Sequence, residues 1–189
     1  MTAMRKEYAN LRRRPFFTPV WLLALAALMA LAGAAWAVRA ASTTIVVITR
    51  HAEKADETAA DPPLSAAGIE RAERLAALLG SRPELSVDAV FITQWRRTGA
   101  TAEPLAARLR VPVITVPSDD LKALESRILR DFRGQRVLVI AHSDTVPALV
   151  RDLSQGASVP AIEAREYGAI YIVAIPRWSR PSVLAMTLP

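Results

Sequence analysis

The sequence contains no cysteine and only two histidines, His51 and His142, in 189 residues. The absence of cysteine excludes a disulfide framework, a zinc site built on thiolates and a cysteine nucleophile. Any chemistry that the chain performs must therefore use other side chains. Hydrophobic residues make up 52% of the composition, which is compatible with a packed core in a chain of this length. We expect one domain with an appendage.

Acidic residues are scarce in one part of the chain only. Residues 1–41 carry six Lys or Arg residues and one Glu, whereas residues 42–189 carry 18 basic and 17 acidic residues. The formal net charge of +6 therefore belongs mostly to the N-terminal part. A protein that binds nucleic acid without sequence preference needs its basic surplus on the folded domain, because phosphate neutralisation supplies most of the affinity. We therefore expect no nucleic-acid partner.

Charge is missing altogether from Val20–Val38, a run of 19 residues rich in Ala and Leu. This length is just sufficient to span the hydrocarbon core of a bilayer. The basic segment before it, residues 1–19, is expected to stay in the cytoplasm, which predicts a signal anchor with residues 42–189 on the extracytoplasmic, periplasmic side. The alternative is a signal peptide cleaved near the small-x-small residues 35–37, which would release a secreted domain. A buried core helix fits poorly, because a helix apolar on all faces would have to be covered by a domain of modest size.

Strand-like and helix-like segments alternate in residues 42–189. The β-branched run 45–49 predicts a strand buried on both faces, and Ser65 suits the N-cap of an amphipathic helix. Pro104 is expected in the first turn of its helix or at a kink. The predicted strands are residues 45–49, 87–93, 111–116, 137–141, 169–175 and 183–188, and the predicted helices include residues 69–79, 102–109, 121–132 and 146–153. This order predicts a three-layer α/β/α sandwich with a largely parallel central sheet.

Basic and imidazole side chains follow three of the predicted strands. Arg50 and His51 follow the first strand, Arg97 follows the second, and His142 follows the fourth. Because ligands bind at the carboxyl ends of parallel strands, we expect these side chains to meet at one rim of the sheet. Phosphoryl transfer through a covalent intermediate needs an imidazole that attacks phosphorus and cations that hold the phosphoryl oxygens. Arginine suits the second task, because its planar fork meets two oxygens at once.

Four segments, in the expected order, resemble the histidine phosphatase superfamily, which includes the phosphoglycerate mutases. Arg50-His51-Ala52-Glu53 is similar to the family's Arg-His-Gly-Glu signature, although Ala52 replaces the glycine. Residues 64–68 resemble the family's Leu-Thr/Ser-x-x-Gly segment. Residues 93–102 resemble its Ser-x-Leu-x-Arg-Ala-x-Gln-Thr-Ala helix start, and residues 137–147 resemble its second-histidine strand and loop. The resemblance implies a phosphoglycerate mutase-like fold, here preceded by one hydrophobic helix.

The resemblance also implies roles for the rim residues. His51 would be the nucleophile that becomes phosphohistidine, and His142 would complete the phosphate pocket. Arg50 and Arg97 would bind the phosphoryl oxygens, since Arg97 and not Arg96 aligns with the family arginine. This chemistry requires no cofactor and no metal.

The proton donor is the least defined part of the predicted site. Protonation of the leaving oxygen needs a carboxyl group within hydrogen-bond reach. Some family members have an acid directly after the second histidine, but this position is Ser143 here, so Asp144 is the first candidate. Asp144 also suits the N-cap of the helix that follows. Glu53 is the other carboxylate near a histidine and is expected among the substrate-binding residues. Other family members take the acid from the segment after the arginine helix. The acidic residues in that part of this chain follow no recognisable pattern; they are Glu103, Asp119, Asp120 and Glu125.

The compact domain favours a phosphatase over a mutase, because phosphoglycerate mutases carry a longer insertion where residues 111–136 are short here. We therefore expect a hydrolase that acts on a phosphomonoester through phospho-His51. A cell-envelope sugar or lipid phosphate and a phosphohistidine protein are the candidate substrates. The alternative is a non-catalytic phosphate-binding module tethered to the membrane.

Overall fold

The computed structural model describes residues 20–41, 43–56 and 58–188, so the basic segment 1–19 lies outside the described residues. The chain divides into two compact units, Met1–Arg39 and Ala40–Pro189. One helix, α1 (Val20–Ala41), begins in the first unit, and its 22 residues correspond to about 33 Å of helix. Among the described residues, its Val20–Val38 stretch is the one that is long and apolar enough to cross a membrane. None of this stretch is buried, so α1 is not a core helix.

Six strands and four further helices form the second unit. The strands are β1 (Thr44–Arg50), β2 (Ala89–Ile92), β3 (Val113–Thr115), β4 (Arg136–Ala141), β5 (Ala169–Ile175) and β6 (Ser182–Thr187). The helices are α2 (Ala66–Gly80), α3 (Arg96–Leu109), α4 (Leu121–Asp131) and α5 (Thr145–Leu153). The strands form one sheet in the order β3-β2-β4-β1-β5-β6. The first four of these are mutually parallel, whereas β5 is antiparallel to β1 and β6 is antiparallel to β5.

Helices cover both faces of this sheet. Successive side chains of a strand point to opposite faces. Accordingly, Val47 of β1 packs in one core with residues of α2 and α3, and Val46 and Ile48 pack in another core with residues of α4 and α5. Both cores contain fully buried aliphatic side chains, such as Leu138 in the first and Val137 in the second. The predicted three-layer α/β/α sandwich with a largely parallel sheet is confirmed.

Local sequence signals explain where most elements begin. The Ser65 hydroxyl accepts a hydrogen bond from the Gly68 backbone N–H at 3.1 Å, so the predicted N-cap of α2 is confirmed. Pro104 was expected in a first turn or at a kink, and the first of these options is wrong. Helix α3 begins at Arg96, which leaves Pro104 in the helix interior, where it removes one backbone hydrogen-bond donor.

The strand order brings the carboxyl ends of three sequence-distant strands together. β2, β4 and β1 are adjacent and parallel, so they end at the same edge of the sheet. The residues that follow these ends are Thr93, His142 and His51, respectively. The fold therefore collects residues separated by up to 91 positions at one edge, in the manner expected for a ligand site in a parallel sheet.

Candidate active site

A cavity of about 700 Å³ opens at the carboxyl ends of β1, β2 and β4. Most of the side chains around it are polar or charged. The lining residues are Arg50, His51, Lys54, Trp95, Arg97, Ser118, Asp119, Leu121, His142, Ser143, Asp144 and Thr145. The structure thus brings five of the predicted site residues to one cavity.

His51 is buried at the end of β1, with 4% of its surface exposed. Its backbone N–H donates to the carbonyl oxygen of Ala141 at 3.0 Å, which ties it to the end of β4. Its ring Nδ1 lies 2.8 Å from the carbonyl oxygen of Ala52. A carbonyl only accepts hydrogen bonds, so Nδ1 carries the proton and the lone pair of the neutral ring is on Nε2. Nε2 is therefore the nucleophilic nitrogen of this imidazole.

The two histidine rings lie side by side in an edge-type arrangement, with 5.4 Å between their centroids and an angle of 61° between their planes. Nε2 of His142 lies 3.0 Å from the Thr93 hydroxyl, which lies 3.1 Å from the buried Thr98 hydroxyl. The backbone N–H of His142 donates to the Thr145 hydroxyl at 3.0 Å. Because Thr93 engages Nε2, Nδ1 is the ring nitrogen of His142 that remains for a ligand. The sequence alone assigned no role to Thr93. The available signal was that Thr93 occupies the position of the Ser in the related family motif.

Burial lowers the pKa of His51 to about 4, and the nearby positive charges of Arg50 and Arg97 act in the same direction. The hydrogen bond to Ala52 opposes this shift. Burial likewise lowers the pKa of His142 to about 4, with Arg97 adding to the shift and the Asp144 carboxylate opposing it. Both rings are therefore neutral at neutral pH, which is the form in which an imidazole acts as a nucleophile.

A histidine titration tests this electrostatic description directly. In the full chain labelled with ¹³C at histidine Cε1, we expect both resonances to titrate near pH 4 rather than near 6.5. A His142→Gln variant assigns the two signals. Because both pKa values are lower in the folded than in the unfolded chain, the unfolded chain binds more protons between these pH values. The free energy of unfolding should therefore decrease as the pH falls through that window. A midpoint near 6.5 for either ring would contradict the account.

Arg50 is buried and held by the loop before β5. Its Nη1 donates to the carbonyl oxygens of Glu163 and Glu166, both at 2.9 Å, and its guanidinium lies 4.2 Å from the ring centroid of Tyr167. Its Nε is buried and has no hydrogen-bond partner among the described residues. A buried charged donor without a partner is costly, and the same guanidinium group lines the cavity.

Arg97 supplies the second guanidinium of the cavity and is partly buried, with 14% of its side chain exposed. Nη1 lies 3.6 Å from the Asp61 carboxylate, and the guanidinium lies 4.9 Å from the Trp95 ring. Its Nε also is buried without a partner in the described part of the chain. Arg96, by contrast, is exposed and does not line the cavity. The structure thus places Arg97 at the cavity and not its neighbour, as the aligned family position indicated.

Asp61 fastens the loop 55–63 to the start of α3. The loop is closed at its neck by a hydrogen bond from the Ala55 N–H to the Pro63 carbonyl at 2.9 Å. The Asp61 carboxylate accepts from the Arg96 N–H at 3.1 Å and so supplies the cap that the Trp95 side chain does not make. Nothing in the sequence identifies this cap, since the partners are 35 positions apart.

Removal of the Asp61 carboxylate should therefore destabilise α3. We expect Asp61→Ala to lower the free energy of unfolding by about 1 kcal/mol, the usual value of a helix N-cap. Asp61→Asn should retain most of the stability, because an amide oxygen can also cap the helix. Thermal unfolding followed by circular dichroism compares the two variants. Equal stability of Asp61→Ala and the parent chain would contradict the capping role.

The two predicted carboxylates have different surroundings. Asp144 lines the cavity, is exposed, and accepts a hydrogen bond from the Thr145 N–H at 2.9 Å at the start of α5. Its negative charge opposes the lowering of the pKa of His142. The structure therefore gives Asp144 the N-cap position and a place beside the candidate phosphate pocket.

Glu53 does not line the cavity, although the sequence led us to expect it among the substrate-binding residues. Its carboxylate accepts two hydrogen bonds from Nε of Arg71, at 2.8 and 3.0 Å, and Arg71 also donates to the carbonyl oxygen of Leu188. Helix α2 thus supplies a guanidinium that holds Glu53 in a structural pair. A Cβ atom at Gly68 would overlap the backbone of Glu53, so this close approach requires glycine at position 68.

The four acidic residues between Glu103 and Glu125 that were considered as proton donors also have different surroundings. Asp119 lines the cavity from the connection between β3 and α4. Asp120 caps α4, accepting from the Ala123 N–H at 2.9 Å, and Glu125 pairs with Lys122 at 3.1 Å. Glu103 is exposed on α3. Asp119 and Asp144 are thus the carboxylates that line the cavity in the described part of the chain.

Comparisons with known proteins agree with this geometry. Residues 46–118 match the sequence model of the histidine phosphatase superfamily, branch 1. No curated protein sequence matches the chain. The structure is similar to that of the protein histidine phosphatase SixA complexed with tungstate, with a TM-score of 0.63 and 23% identity over 76% of this chain and 96% of that chain.

Two further structures share the fold. Mycobacterial glucosyl-3-phosphoglycerate phosphatase has a TM-score of 0.59 and 14% identity, over 78% of this chain and 100% of that chain. YhfR of Bacillus stearothermophilus has a TM-score of 0.55 and 18% identity, over 69% of this chain and 90% of that chain. The phosphoglycerate mutase-like fold is thereby confirmed. The match of residues 46–118 to the family model supports the expected enzyme class, a hydrolase of the histidine phosphatase type. The family match covers the segment that contains Arg50, His51 and Arg97.

Proposed function

We propose that this phosphatase hydrolyses a phosphomonoester through a phosphohistidine intermediate on His51. The observation that carries the proposal is the pair of buried, unpartnered Nε atoms of Arg50 and Arg97 beside His51, as seen among the described residues. Both guanidinium groups line the same cavity, and a phosphoryl group bound there can accept hydrogen bonds from them. The neutral His51 ring, protonated on Nδ1, offers Nε2 to the phosphorus.

The reaction consists of two displacements at phosphorus. In the first, Nε2 of His51 forms a bond to phosphorus while the bond to the leaving oxygen breaks, and that oxygen takes up a proton. In the second, water attacks phosphorus, the nitrogen–phosphorus bond breaks, and inorganic phosphate and neutral His51 are released. Arg50, Arg97 and His142 stabilise the charge on the other phosphoryl oxygens in both steps.

Two carboxylates compete for the role of proton donor. Asp144 is the first candidate because its charge acts directly on His142, and Asp119 is the second because it lines the same cavity. A proton donor matters most when the leaving group is a poor one, as in an alkyl phosphate. A nitrophenolate leaves without protonation, so its release depends little on the donor.

The leaving-group dependence of two variants separates these candidates. We expect Asp144→Asn to lose about 10²-fold or more of kcat/KM on an alkyl phosphate and little on nitrophenyl phosphate. Asp119→Asn serves as the matched variant and should lower both rates to the same small extent. The reverse pattern would assign the donor to Asp119. Equal losses on both substrates for Asp144→Asn would leave that residue with its helix-capping role alone.

The location of the enzyme is part of the proposal. The apolar, exposed helix α1 supports a membrane anchor, and the basic residues before it favour a domain outside the cytoplasm. Digestion of spheroplasts with external protease should then remove the domain while α1 remains in the membrane. The N-terminal sequence of the mature protein distinguishes the anchor from a cleaved signal peptide. Protection of the domain in intact spheroplasts would contradict the proposed orientation.

The substrate is proposed to be an envelope sugar or lipid phosphate, with a phosphohistidine protein as the second candidate. The second candidate is supported by the structural similarity to a protein histidine phosphatase. Turnover by the full chain in detergent is measured first with nitrophenyl phosphate, then with sugar phosphates, phosphatidic acid and a phosphohistidine peptide. Tight phosphate binding without turnover between about pH 4 and pH 8 would support the non-catalytic binding module instead.

A further inference from the structure

The edge of the sheet opposite the cavity carries an exposed turn with basic and aromatic side chains. β5 runs antiparallel to β1 and pairs Ile175 with Thr44, so the turn between β5 and β6 lies at the edge where β1 begins. This turn, residues 176–181, contains Arg177, Trp178 and Arg180, all exposed. Trp178 is 79% exposed, and the Arg177 guanidinium lies 5.1 Å from its ring centroid. We call the segments at this end of the sheet, residues 81–88, 110–112, 130–136 and 176–181, the amino-terminal edge.

Charge is distributed unevenly between this edge and the rest of the domain. The amino-terminal edge contains seven arginines and three acidic residues. Residues 42–189 carry 18 basic and 17 acidic residues in all, so the remainder of the domain carries 11 basic and 14 acidic residues. The domain is therefore positive at one edge and negative elsewhere, although its total charge is close to zero.

The direction of this polarity matches the proposed anchor. In the sequence, two residues separate Ala41, the last residue of α1, from Thr44, the first residue of β1. A chain of this length reaches only about 10 Å when extended. If α1 spans the membrane, the start of β1 therefore cannot lie far from the bilayer surface. This step rests on the membrane anchoring given under the proposed function.

We propose that the amino-terminal edge, with the turn 176–181 at its tip, docks on a surface of anionic phospholipid. Arginine side chains near a membrane surface are attracted to anionic headgroups, and tryptophan is favoured at the interface between headgroups and hydrocarbon. The pair formed by Arg177 and Trp178 combines both properties in neighbouring residues.

The docked orientation constrains the substrate. β1 has seven residues, and at about 3.3 Å per residue it separates the two edges of the sheet by roughly 20 Å. Docking would hold the cavity on the side of the domain that faces away from the bilayer. Of the substrates proposed above, docking therefore favours soluble sugar phosphates and phosphohistidine proteins over a lipid phosphate held in the same bilayer.

A second copy of the chain is the alternative occupant of this region. β6 is the outer strand of the sheet, and Leu184 on it is 61% exposed. A second turn 176–181 carries the same positive charge and so offers no complementary surface to the first. The charge therefore favours an anionic surface over self-association.

Site-directed spin labelling of the full chain tests the proposal, and the absence of cysteine makes the labelling selective. A nitroxide is attached through Ser179→Cys in the turn, and a control nitroxide through Ala60→Cys, which replaces an exposed residue near the cavity end of the sheet. Each protein is reconstituted into vesicles of phosphatidylcholine alone or of phosphatidylcholine with phosphatidylglycerol. Electron paramagnetic resonance then measures collisions with oxygen, which concentrates in lipid, and with a water-soluble nickel chelate.

We expect the ratio of oxygen to nickel collisions at position 179 to be severalfold higher than at position 60 in the anionic vesicles. The ratio should fall in phosphatidylcholine alone and in the double variant Arg177→Glu, Arg180→Glu. Equal ratios at both positions, or spin–spin broadening between two labels at position 179, would overturn the proposal. Flotation with vesicles and hydrolysis of nitrophenyl phosphate should be unchanged in the double variant. Loss of flotation by the parent chain would instead overturn the anchoring, and loss of hydrolysis the proposed activity.

Discussion

A His51→Ala variant is expected to lose about 10⁴-fold or more of kcat for nitrophenyl phosphate, because the covalent route through the imidazole is removed. The substitution removes Nε2 of His51, the atom proposed to attack phosphorus. Direct attack by water on a phosphate held by Arg50 and Arg97 would leave a small residual rate. Steady-state hydrolysis by the purified full chain measures the loss.

The same variant should still bind an oxyanion, because both guanidinium groups remain. Thermal stabilisation by tungstate provides this control, since a structurally similar phosphatase binds that ion. Stabilisation of His51→Ala by tungstate shows that the pocket is folded, so the lost rate can be assigned to chemistry. Retention of more than about a tenth of the parent rate would contradict a nucleophilic role for His51.

Arg97→Ala is expected to lower kcat/KM by about 10² to 10³-fold, the usual effect of removing one group that stabilises transition-state charge. Nε of Arg97 is buried and has no hydrogen-bond partner within the described ranges of the chain, so the guanidinium is already partly desolvated before a phosphate binds. Arg97→Lys should recover little of the loss, because an ammonium group cannot meet two phosphoryl oxygens in the plane of a guanidinium.

Arg96→Ala is the matched control for this prediction. It removes the same charge from the adjacent residue, whose side chain is exposed and lies outside the cavity lining. Its activity should stay within about twofold of the parent, as is usual for a surface substitution. Similar losses for Arg96→Ala and Arg97→Ala would indicate a general effect of positive charge and would contradict the specific role of Arg97.

The sequence was sufficient to predict the sheet, because its central strands are almost purely apolar. The β-branched run 45–49 and the run 137–141 can only be strands that helices cover on both faces, and the structure buries both. The expected positions of β5 and β6 also agree with the structure to within one residue. Pro104 was harder to place because α3 starts with Arg96 and Arg97, and these polar residues give no amphipathic signal.

The candidate site could be predicted as a set of residues but not as a network. The strand order alone brings the predicted site residues together, because each lies at the end of a strand or shortly after it. These residues are Arg50, His51, Arg97 and His142. The contacts that orient them come from elsewhere in the chain: Thr93 contacts His142 over 49 positions, and the carbonyl of Glu163 binds Arg50 over 113 positions. Neither contact has a local sequence pattern.

The surroundings of Glu53 also could not be predicted from the sequence. Its position two residues after His51 suggested a place in the pocket, since no local pattern identifies Arg71 as its partner. Arg71 belongs to the polar face of α2, which the helical periodicity describes as solvent-exposed. Only the packing of α2 beside the end of β1 turns this arginine toward Glu53. Prediction of such pairs requires the tertiary structure.

The central claim is that a phosphoryl group is bonded to His51 during turnover. Rapid mixing of the full chain with nitrophenyl phosphate, quenching in alkaline denaturant and mass spectrometry of the peptides test it most directly. We expect one acid-labile phosphoryl group per chain on the peptide that contains His51, and none in His51→Ala. Steady hydrolysis with no phosphoryl group on that peptide, or with the group on a different residue, would contradict the account.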